Sequence, residues 1–96
     1  MRQSLRVRYV IAYDVTDDRK RTKLAKFLLD YGDRMQKSVF EADLEPDEVK
    51  EILKKVANWI DKEDSLRIYP VCQACLSRVK TIGRKGPILD EDLVIV

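Results

Sequence analysis

An apolar stretch that ends on a carboxylate constrains the fold of this chain more than any other feature. From Leu5 to Tyr13 every second residue is apolar, the period of two that is typical of a β-strand. The positions between them carry Arg6 and Arg8 first and apolar residues later, which predicts a strand that becomes buried on both faces. Asp14 follows directly, at a strand end, where a rigid scaffold often holds reactive groups.

Two helices with one apolar side each are predicted after this strand. Thr16 or Asp17 can cap the first helix, since short polar side chains accept a bond from its free N–H groups. Gly32 is predicted to stop that helix, and Pro46 occupies a favourable first-turn position of the second. The apolar stripe of the first helix consists of Leu24, Phe27, Leu28 and Tyr31, and that of the second of Val49, Ile52, Leu53, Val56 and Ile60.

Shorter strands fill the remaining segments. An alternating run ends at Leu44, but Met35 is out of phase with it, which indicates either a bulge near Lys37 and Ser38 or two short strands in succession. Residues 66–71 are predicted to form a strand that ends at Pro70 or lies at a sheet edge, because proline cannot donate to a ladder. A helical turn at residues 72–76 and strands at residues 78–82 and 93–96 complete the prediction.

The order of these elements is typical of a ferredoxin-like α+β sandwich, in which two helices cover one face of an antiparallel sheet. We predict that this domain covers residues 1–87. The strand at the C-terminus has no obvious partner within such a unit. We therefore predict that residues 88–96 form a tail that packs on a second copy and exchanges its strand in a homodimer. A further buried interface would suit a 96-residue chain, because its own core is small.

The distribution of charge predicts a basic surface. Lys and Arg outnumber Asp and Glu by ten to five in residues 1–40 and by five to none in residues 66–86, although the net charge is only +2. Such segregation gives a face that attracts phosphates, or it is solvated surface that happens to cluster. Histidine is absent, which excludes histidine-based acid–base catalysis and histidine metal ligands. No apolar run approaches the roughly 20 residues of a membrane span, so we predict a cytoplasmic protein.

Asp14 is the strongest candidate for a chemical role. Mg²⁺ takes oxygen ligands, usually one or two carboxylates together with several waters. One Asp14 from each chain of a two-fold dimer would meet that need. The alternative is that Asp14 only caps or braces the turn before the first helix. Basic side chains that could contact phosphates are Arg19, Arg21, Arg34, Lys37, Arg78, Lys80, Arg84 and Lys85, each of which would also suit solvated surface.

Cys72 and Cys75 have the CxxC spacing of metal-binding and redox motifs. Two thiolates make only half a zinc site, and the chain has two cysteines in all. A dimer could supply four thiolates, and a redox pair is also conceivable. The interpretation we favour is two small, buried or half-buried structural thiols.

Two segments together resemble the CRISPR-associated protein 2 family. They are YVIAYDV at residues 9–15 and RMQKSVFE at residues 34–41, separated by the basic helix. IYPVC at residues 68–72 and the dipeptide Ile82-Gly83 are similar to the later strands of the family. The resemblance implies a ferredoxin-like fold, a two-fold homodimer, and a role in acquiring CRISPR spacers with a partner integrase, CRISPR-associated protein 1.

The resemblance also implies site residues. The strand-end aspartate of the family falls on Asp14, with Tyr13 before it, and the motif arginine and phenylalanine fall on Arg34 and Phe40. These four are the predicted catalytic residues, and Asp14 from both chains would hold one Mg²⁺. The arginine of the first helix matches Arg19 or Arg21. The predicted nucleic-acid-binding residues are Arg19, Arg21, Arg78 and Lys80.

Two functions from different classes follow from this resemblance. One is a Mg²⁺-dependent endonuclease that hydrolyses phosphodiesters of RNA or double-stranded DNA, as several members of the family have been described. The other is a non-catalytic dimeric scaffold that binds DNA and bridges integrase dimers. The scaffold needs only the basic face, whereas the nuclease also needs Asp14.

Overall fold

A computed structural model describes residues 6–83 and the backbone of residues 94–95, and its elements follow the predicted order. The strands and helices are β1 (Val7–Asp14), α1 (Asp18–Leu29), β2 (Asp33–Gln36), β3 (Val39–Leu44), α2 (Pro46–Ala57), β4 (Ser65–Val71), α3 (Gln73–Leu76), β5 (Lys80–Thr81) and β6 (Val94–Ile95). No helix in the described part of the chain is long and apolar enough to cross a membrane.

Strand β1 lies in the middle of a four-stranded sheet of order β2-β3-β1-β4. It is antiparallel to both neighbours, and Ile11 lies opposite Phe40 on one side and Ile68 on the other. With α1 between β1 and β2 and α2 between β3 and β4, this is the ferredoxin-like α+β arrangement, which confirms the predicted fold class. The ladder to β3 reaches Ala12 and the ladder to β4 reaches Asp14, so Asp14 stands on a strand that is paired to its last residue.

Both helices pack on the same face of the sheet. The core joins Ile11 and Tyr13 of β1 to Phe40, Ala42 and Leu44 of β3, which lie on one face by the period of two. Burial of each large apolar side chain there contributes about 2 kcal/mol. The helices close this core with Leu24, Ala25 and Leu28 of α1 and with Ile52 and Val56 of α2. Of the predicted α2 stripe, Leu53 is instead 46% exposed.

The two helices begin as predicted. The Asp17 carboxylate caps α1 by accepting a bond of 2.9 Å from the backbone N–H of Lys20. At the start of α2, Glu45 and Glu48 form a capping box, with Pro46 in the first turn. Because the cap side chains take up N–H groups that would otherwise lack partners, each helix start is fixed independently of the core.

The end of α1 differs from the prediction. The helix ends at Leu29 with Asp30 as its cap, and Gly32 does not have the positive φ of a helix-stopping glycine, which among the described glycines belongs to Gly83 alone. A Cβ at Gly32 would instead collide with the Glu41 carbonyl oxygen and come within 2.6 Å of the Ala42 Cβ. The predicted role of Gly32 is therefore wrong: glycine is required because the chain passes directly against β3.

The segment before Leu44 combines both predicted alternatives. Gln36 pairs with Val39, which leaves Lys37 and Ser38 as a two-residue turn between two short antiparallel strands. The register shifts between Arg34 and Gln36, at Met35, so the irregularity lies two positions before Lys37, where the bulge was predicted to begin. This turn brings its carbonyl groups to the end of β1, where Ser38 accepts a bond of 3.1 Å from the Tyr13 backbone N–H.

The C-terminal elements are described only in part. Strand β4 is an edge strand, as the presence of Pro70 predicted. Strand β6 pairs in parallel with Lys80–Thr81 of the same chain. Most of the predicted tail, residues 88–96, lies outside the described residues, and its exchange with a second copy stays a prediction.

Candidate functional site at the end of strand β1

Asp14 is the last residue of β1 and is exposed, while the following Val15 is buried and anchors the loop. Its backbone pairs with Ser65 of β4. Its carboxylate forms no hydrogen bond or ion pair with any other residue that the structure describes. The backbone of Asp14 is held by the strand, and its carboxylate oxygens have no partner among the described residues. The carboxylate can therefore bind a cation or a substrate group without first breaking a bond to the protein.

The Tyr13 side chain points away from that of Asp14, into the core, and is 5% exposed. Its hydroxyl donates a hydrogen bond of 2.9 Å to the backbone carbonyl of Lys37, and so ties the end of β1 to the β2–β3 turn. Burial raises the pKa of this phenol, and the nearby charges of Arg34 and Arg21 oppose that rise. The hydroxyl is therefore protonated at neutral pH and acts here as a donor that positions the turn.

Phe40 is fully buried beneath Tyr13, with the two ring centroids 6.2 Å apart. A side chain without exposure cannot touch a nucleic acid. We predicted Phe40 as catalytic, but in this fold the side chain only supports the ring that positions the turn. The alternation of residues 40, 42 and 44 already indicated a core position for it.

Arg21 and Arg34 bring two positive charges to this end of the sheet. Arg34 Nη2 donates a bond of 2.9 Å to the Lys37 carbonyl, the group that also accepts the Tyr13 hydroxyl. Arg21 Nη1 donates to the Val15 carbonyl at 2.8 Å, and Arg21 Nη2 pairs with Asp18. Both arginines line one groove of about 320 Å³ between α1 and β2, together with Thr22, Ala25, Lys26 and Leu29. We call this groove the arginine groove.

The other predicted nucleic-acid-binding residues lie elsewhere. Arg19 is exposed on α1 and does not line the arginine groove, whereas Arg21 does. Arg78 and Lys80 are exposed in the segment that follows α3, and neither lines the groove. Of the two arginines that could match the helix-one position, Arg21 is thus the one whose guanidinium contacts the loop behind Asp14.

Sequence reasoning missed Asp64, the only charged side chain buried among the described residues. Its Oδ1 accepts a bond of 3.2 Å from the Thr16 backbone N–H, and its Oδ2 accepts one of 2.9 Å from the Asp61 N–H. The Asp61 bond, followed by those from Thr16, holds the pKa of Asp64 below its ordinary value of 3.8. Asp64 therefore fixes the loop after Asp14 against the loop before β4.

We expect Asp64→Asn to destabilise the protein near pH 7 and to have progressively less effect in acid. Because the folded-state pKa is depressed, the stabilisation is complete above the unfolded value and is lost as the pH falls through the folded value. Urea unfolding of wild type and variant near pH 7 and near pH 3 measures this. A difference that stays constant across that range would show that the charge of Asp64 contributes nothing.

Asp14 belongs to no larger cluster of metal-ligating side chains among the described residues. Within residues 6–83 no group of three or more Cys, Asp and Glu side chains is arranged to hold an ion. Mg²⁺ keeps several waters and needs few carboxylates, so an exposed and unpaired Asp14 fits such an ion when a second copy provides another.

The cysteines differ from the prediction. Cys72 and Cys75 are both exposed, at the start of α3, and no disulfide joins them. The predicted burial of the two thiols is therefore wrong, while their structural role stays a prediction. The reason is that α3 is a single turn beyond the edge strand, and none of its residues is buried.

Comparison with known proteins groups the chain with one family. Residues 7–79 match the family model described as CRISPR associated protein Cas2. The chain is 38% identical over 91 residues to the CRISPR-associated endoribonuclease Cas2 1 of Chloroflexus aurantiacus, with 92% of this chain and 98% of that protein covered. It is 44% identical over 81 residues to the CRISPR-associated endonuclease Cas2 2 of Thermus thermophilus, with 83% and 84% covered.

Solved structures show the same fold. The Cas2 protein of Streptococcus pyogenes superposes with a TM-score of 0.70 at 33% identity, over 79% of this chain and 99% of that one. A chain of a partial Cas6-RT-Cas1–Cas2 complex gives a TM-score of 0.70 at 28% identity, over 88% and 92%.

Proposed function

The chain belongs to the Cas2 family of CRISPR-associated proteins, and from this premise we propose that it is a Mg²⁺-dependent endonuclease that acts with the CRISPR integrase in spacer acquisition. The observation that carries the proposal is the exposed carboxylate of Asp14, which has no partner among the described residues and stands at a strand end beside the loop that Arg21 contacts. Two relatives are named endoribonuclease and endonuclease, which supports nuclease chemistry without deciding between RNA and double-stranded DNA.

The residues around Asp14 have distinct roles in this proposal. Asp14 from two copies would hold the ion, which when bound activates a water and neutralises charge on the phosphate. Arg34 and Arg21 would hold the nucleic-acid backbone in place, because guanidinium groups match phosphate geometry. Tyr13 and the buried Phe40 keep the Lys37 carbonyl, and with it Arg34, in position.

A second candidate function is a non-catalytic DNA-binding scaffold that bridges integrase dimers. One observation favours it: the arginine groove is formed within one chain, whereas the described residues of one chain contain no group of three or more Cys, Asp and Glu side chains that could hold an ion. The similarity to a chain of a complex named for Cas1 and Cas2 supports the integrase as partner under either function.

Both functions require a homodimer, which the surface of the sheet supports. The face opposite the helices carries Val10, Ala12 and Tyr69, with Tyr69 47% exposed. Covering these side chains with a second copy would add apolar burial to a small core. It would also place two chains, each with its own Asp14, in one particle.

We expect purified protein to be a dimer of the 11.2 kDa chain at micromolar concentration. Multi-angle light scattering over a dilution series measures the mass directly. Tyr69→Lys, which places a charge on the sheet face away from the core, should raise the dissociation constant, while the exposed control Leu53→Lys on α2 should not. A monomer at all concentrations would exclude the two-chain metal site.

The experiment that tests the function is cleavage and binding by the wild-type protein. RNA and double-stranded DNA are incubated with Mg²⁺, with Mn²⁺ or with a chelator, and binding is measured by anisotropy across a salt series. We expect metal-dependent cleavage of one substrate class and binding that weakens steeply with salt. Arg34→Ala should lower the salt slope by about 1, whereas Lys54→Ala, in a groove with Asp47, Glu48 and Glu51, should not. Binding that is independent of salt would contradict the arginine groove.

A further inference from the structure

The two cysteines form a pair whose geometry the proposed function does not use. Cys72 directly follows the last residue of β4 and is the N-cap of α3, and Cys75 lies one turn later. Both side chains are exposed to solvent. The spacing and the exposure leave the two sulfur atoms close together and within reach of small molecules.

The two cysteines are joined by a hydrogen bond within the turn, and their thiols are chemically unequal. The Cys75 backbone N–H donates to Cys72 Sγ at 3.4 Å. This bond, followed by the contact with the Cys75 side chain, lowers the pKa of Cys72 below the ordinary thiol value. Proximity to Cys72 raises the pKa of Cys75. Cys72 therefore loses its proton more readily, and Cys75 stays protonated more readily. A pair of this kind is typical of an attacking and a resolving cysteine.

We propose that Cys72 and Cys75 form a reversible dithiol–disulfide site that is closed by small-molecule disulfides and opened by small-molecule thiols. The Cys72 thiolate attacks one sulfur of the oxidant, forms a mixed disulfide and releases one thiolate. Cys75 then loses its proton to solvent and attacks the Cys72 sulfur, which forms the intramolecular bond and releases the second thiolate. The protein loses two electrons and two protons, and the oxidant becomes two thiols.

The cysteine pair lies in the short segment that connects two strands. Helix α3 connects β4, the edge strand of the main sheet, to β5. The turn is held in the reduced state by backbone bonds from Leu76 to Cys72 and from Arg78 to Cys75. A covalent bond across this single turn would fix the direction in which the chain leaves the main sheet, so closure affects the segment that carries Arg78 and Lys80.

A zinc site is the competing use of the same sulfur atoms. Among the described residues no third Cys, Asp or Glu is grouped with the pair, so one chain offers two of the four ligands that structural zinc takes. The hydrogen bond from the Cys75 backbone N–H to Cys72 Sγ, with one thiol more acidic than the other, favours exchange chemistry.

The test treats the reduced wild-type protein with oxidised glutathione and follows intact mass and free thiols. We expect loss of two hydrogens, no remaining adduct and no free thiol, with full reversal by dithiothreitol. Cys75→Ser should accumulate a stable glutathione adduct on Cys72, and Cys72→Ser should react several-fold more slowly. These outcomes do not depend on nuclease activity, so the proposal stands or fails separately from the proposed function.

Other results would overturn the proposal. They are two glutathione adducts per wild-type chain, disulfide-linked dimers as the main product, or equal reaction rates of the two single variants. Purified protein that holds one zinc per two chains, and that resists oxidation until the zinc is removed, would assign the pair to a metal site instead. Circular dichroism of each serine variant establishes that it is folded before its reaction is scored.

Discussion

Asp14→Asn is expected to reduce Mg²⁺-dependent cleavage by roughly 100-fold or more, because the loss of a metal ligand removes several kcal/mol of transition-state stabilisation. The side chain is exposed and makes no bond to the described residues, so the fold should be unaffected. Binding of nucleic acid should be retained or become slightly tighter, since one negative charge is removed beside the loop that Arg21 contacts. Parallel measurement of the cleavage rate and of the dissociation constant separates the two effects.

The matched control for this variant is Asp30→Asn, which removes the same charge from an exposed aspartate at the other end of α1. It should cleave at the wild-type rate. Equal activity of Asp14→Asn and wild type would refute the role of Asp14 and indicate a contaminating nuclease. Absence of cleavage by the wild type, with RNA and DNA and with Mg²⁺ and Mn²⁺, would leave the scaffold function as the better account.

The parts of the fold that could be predicted are those with a local signal. Strand β1 and its terminal Asp14 follow from a period of two, and the start of α2 follows from Pro46, all within a few residues. The edge position of β4 follows from Pro70 in the same way. Each of these features depends on neighbours in sequence, so the sequence alone predicts it.

The parts that were wrong or missed depend on contacts distant in sequence. Asp64 bonds to Thr16 across 48 positions, and nothing near either residue indicates the pair. The exposure of Cys72 and Cys75 depends on α3 lying beyond the sheet edge, although small thiols are usually buried. The role of Gly32 could not be predicted for the same reason, because the atoms that leave no room for a side chain there belong to the backbone of another strand.

That contact makes Gly32→Ala the substitution with the largest expected effect on stability. The new Cβ would collide with the Glu41 carbonyl oxygen and lie 2.9 Å from the Ala42 Cα, and both are backbone atoms of β3 that cannot rotate away. We expect a loss of about 3 kcal/mol of unfolding free energy and a fall in Tm of roughly 15 °C, as for overpacking of a rigid site. Thermal and urea unfolding measure it.

Gly83→Ala is the control that separates collision from backbone strain. Gly83 has a φ of +87°, and none of the atoms that the structure describes lies within 4 Å of an added Cβ, so the variant should lose only about 1 kcal/mol, the cost of a left-handed backbone. If Gly32→Ala loses no more unfolding free energy than Gly83→Ala, the close approach of residue 32 to β3 is not required. If Gly32→Ala loses more, we expect the collision to displace the start of β2 as well. Nucleic-acid binding by the folded fraction should then weaken, because Arg34 follows Gly32 by two residues and lines the arginine groove.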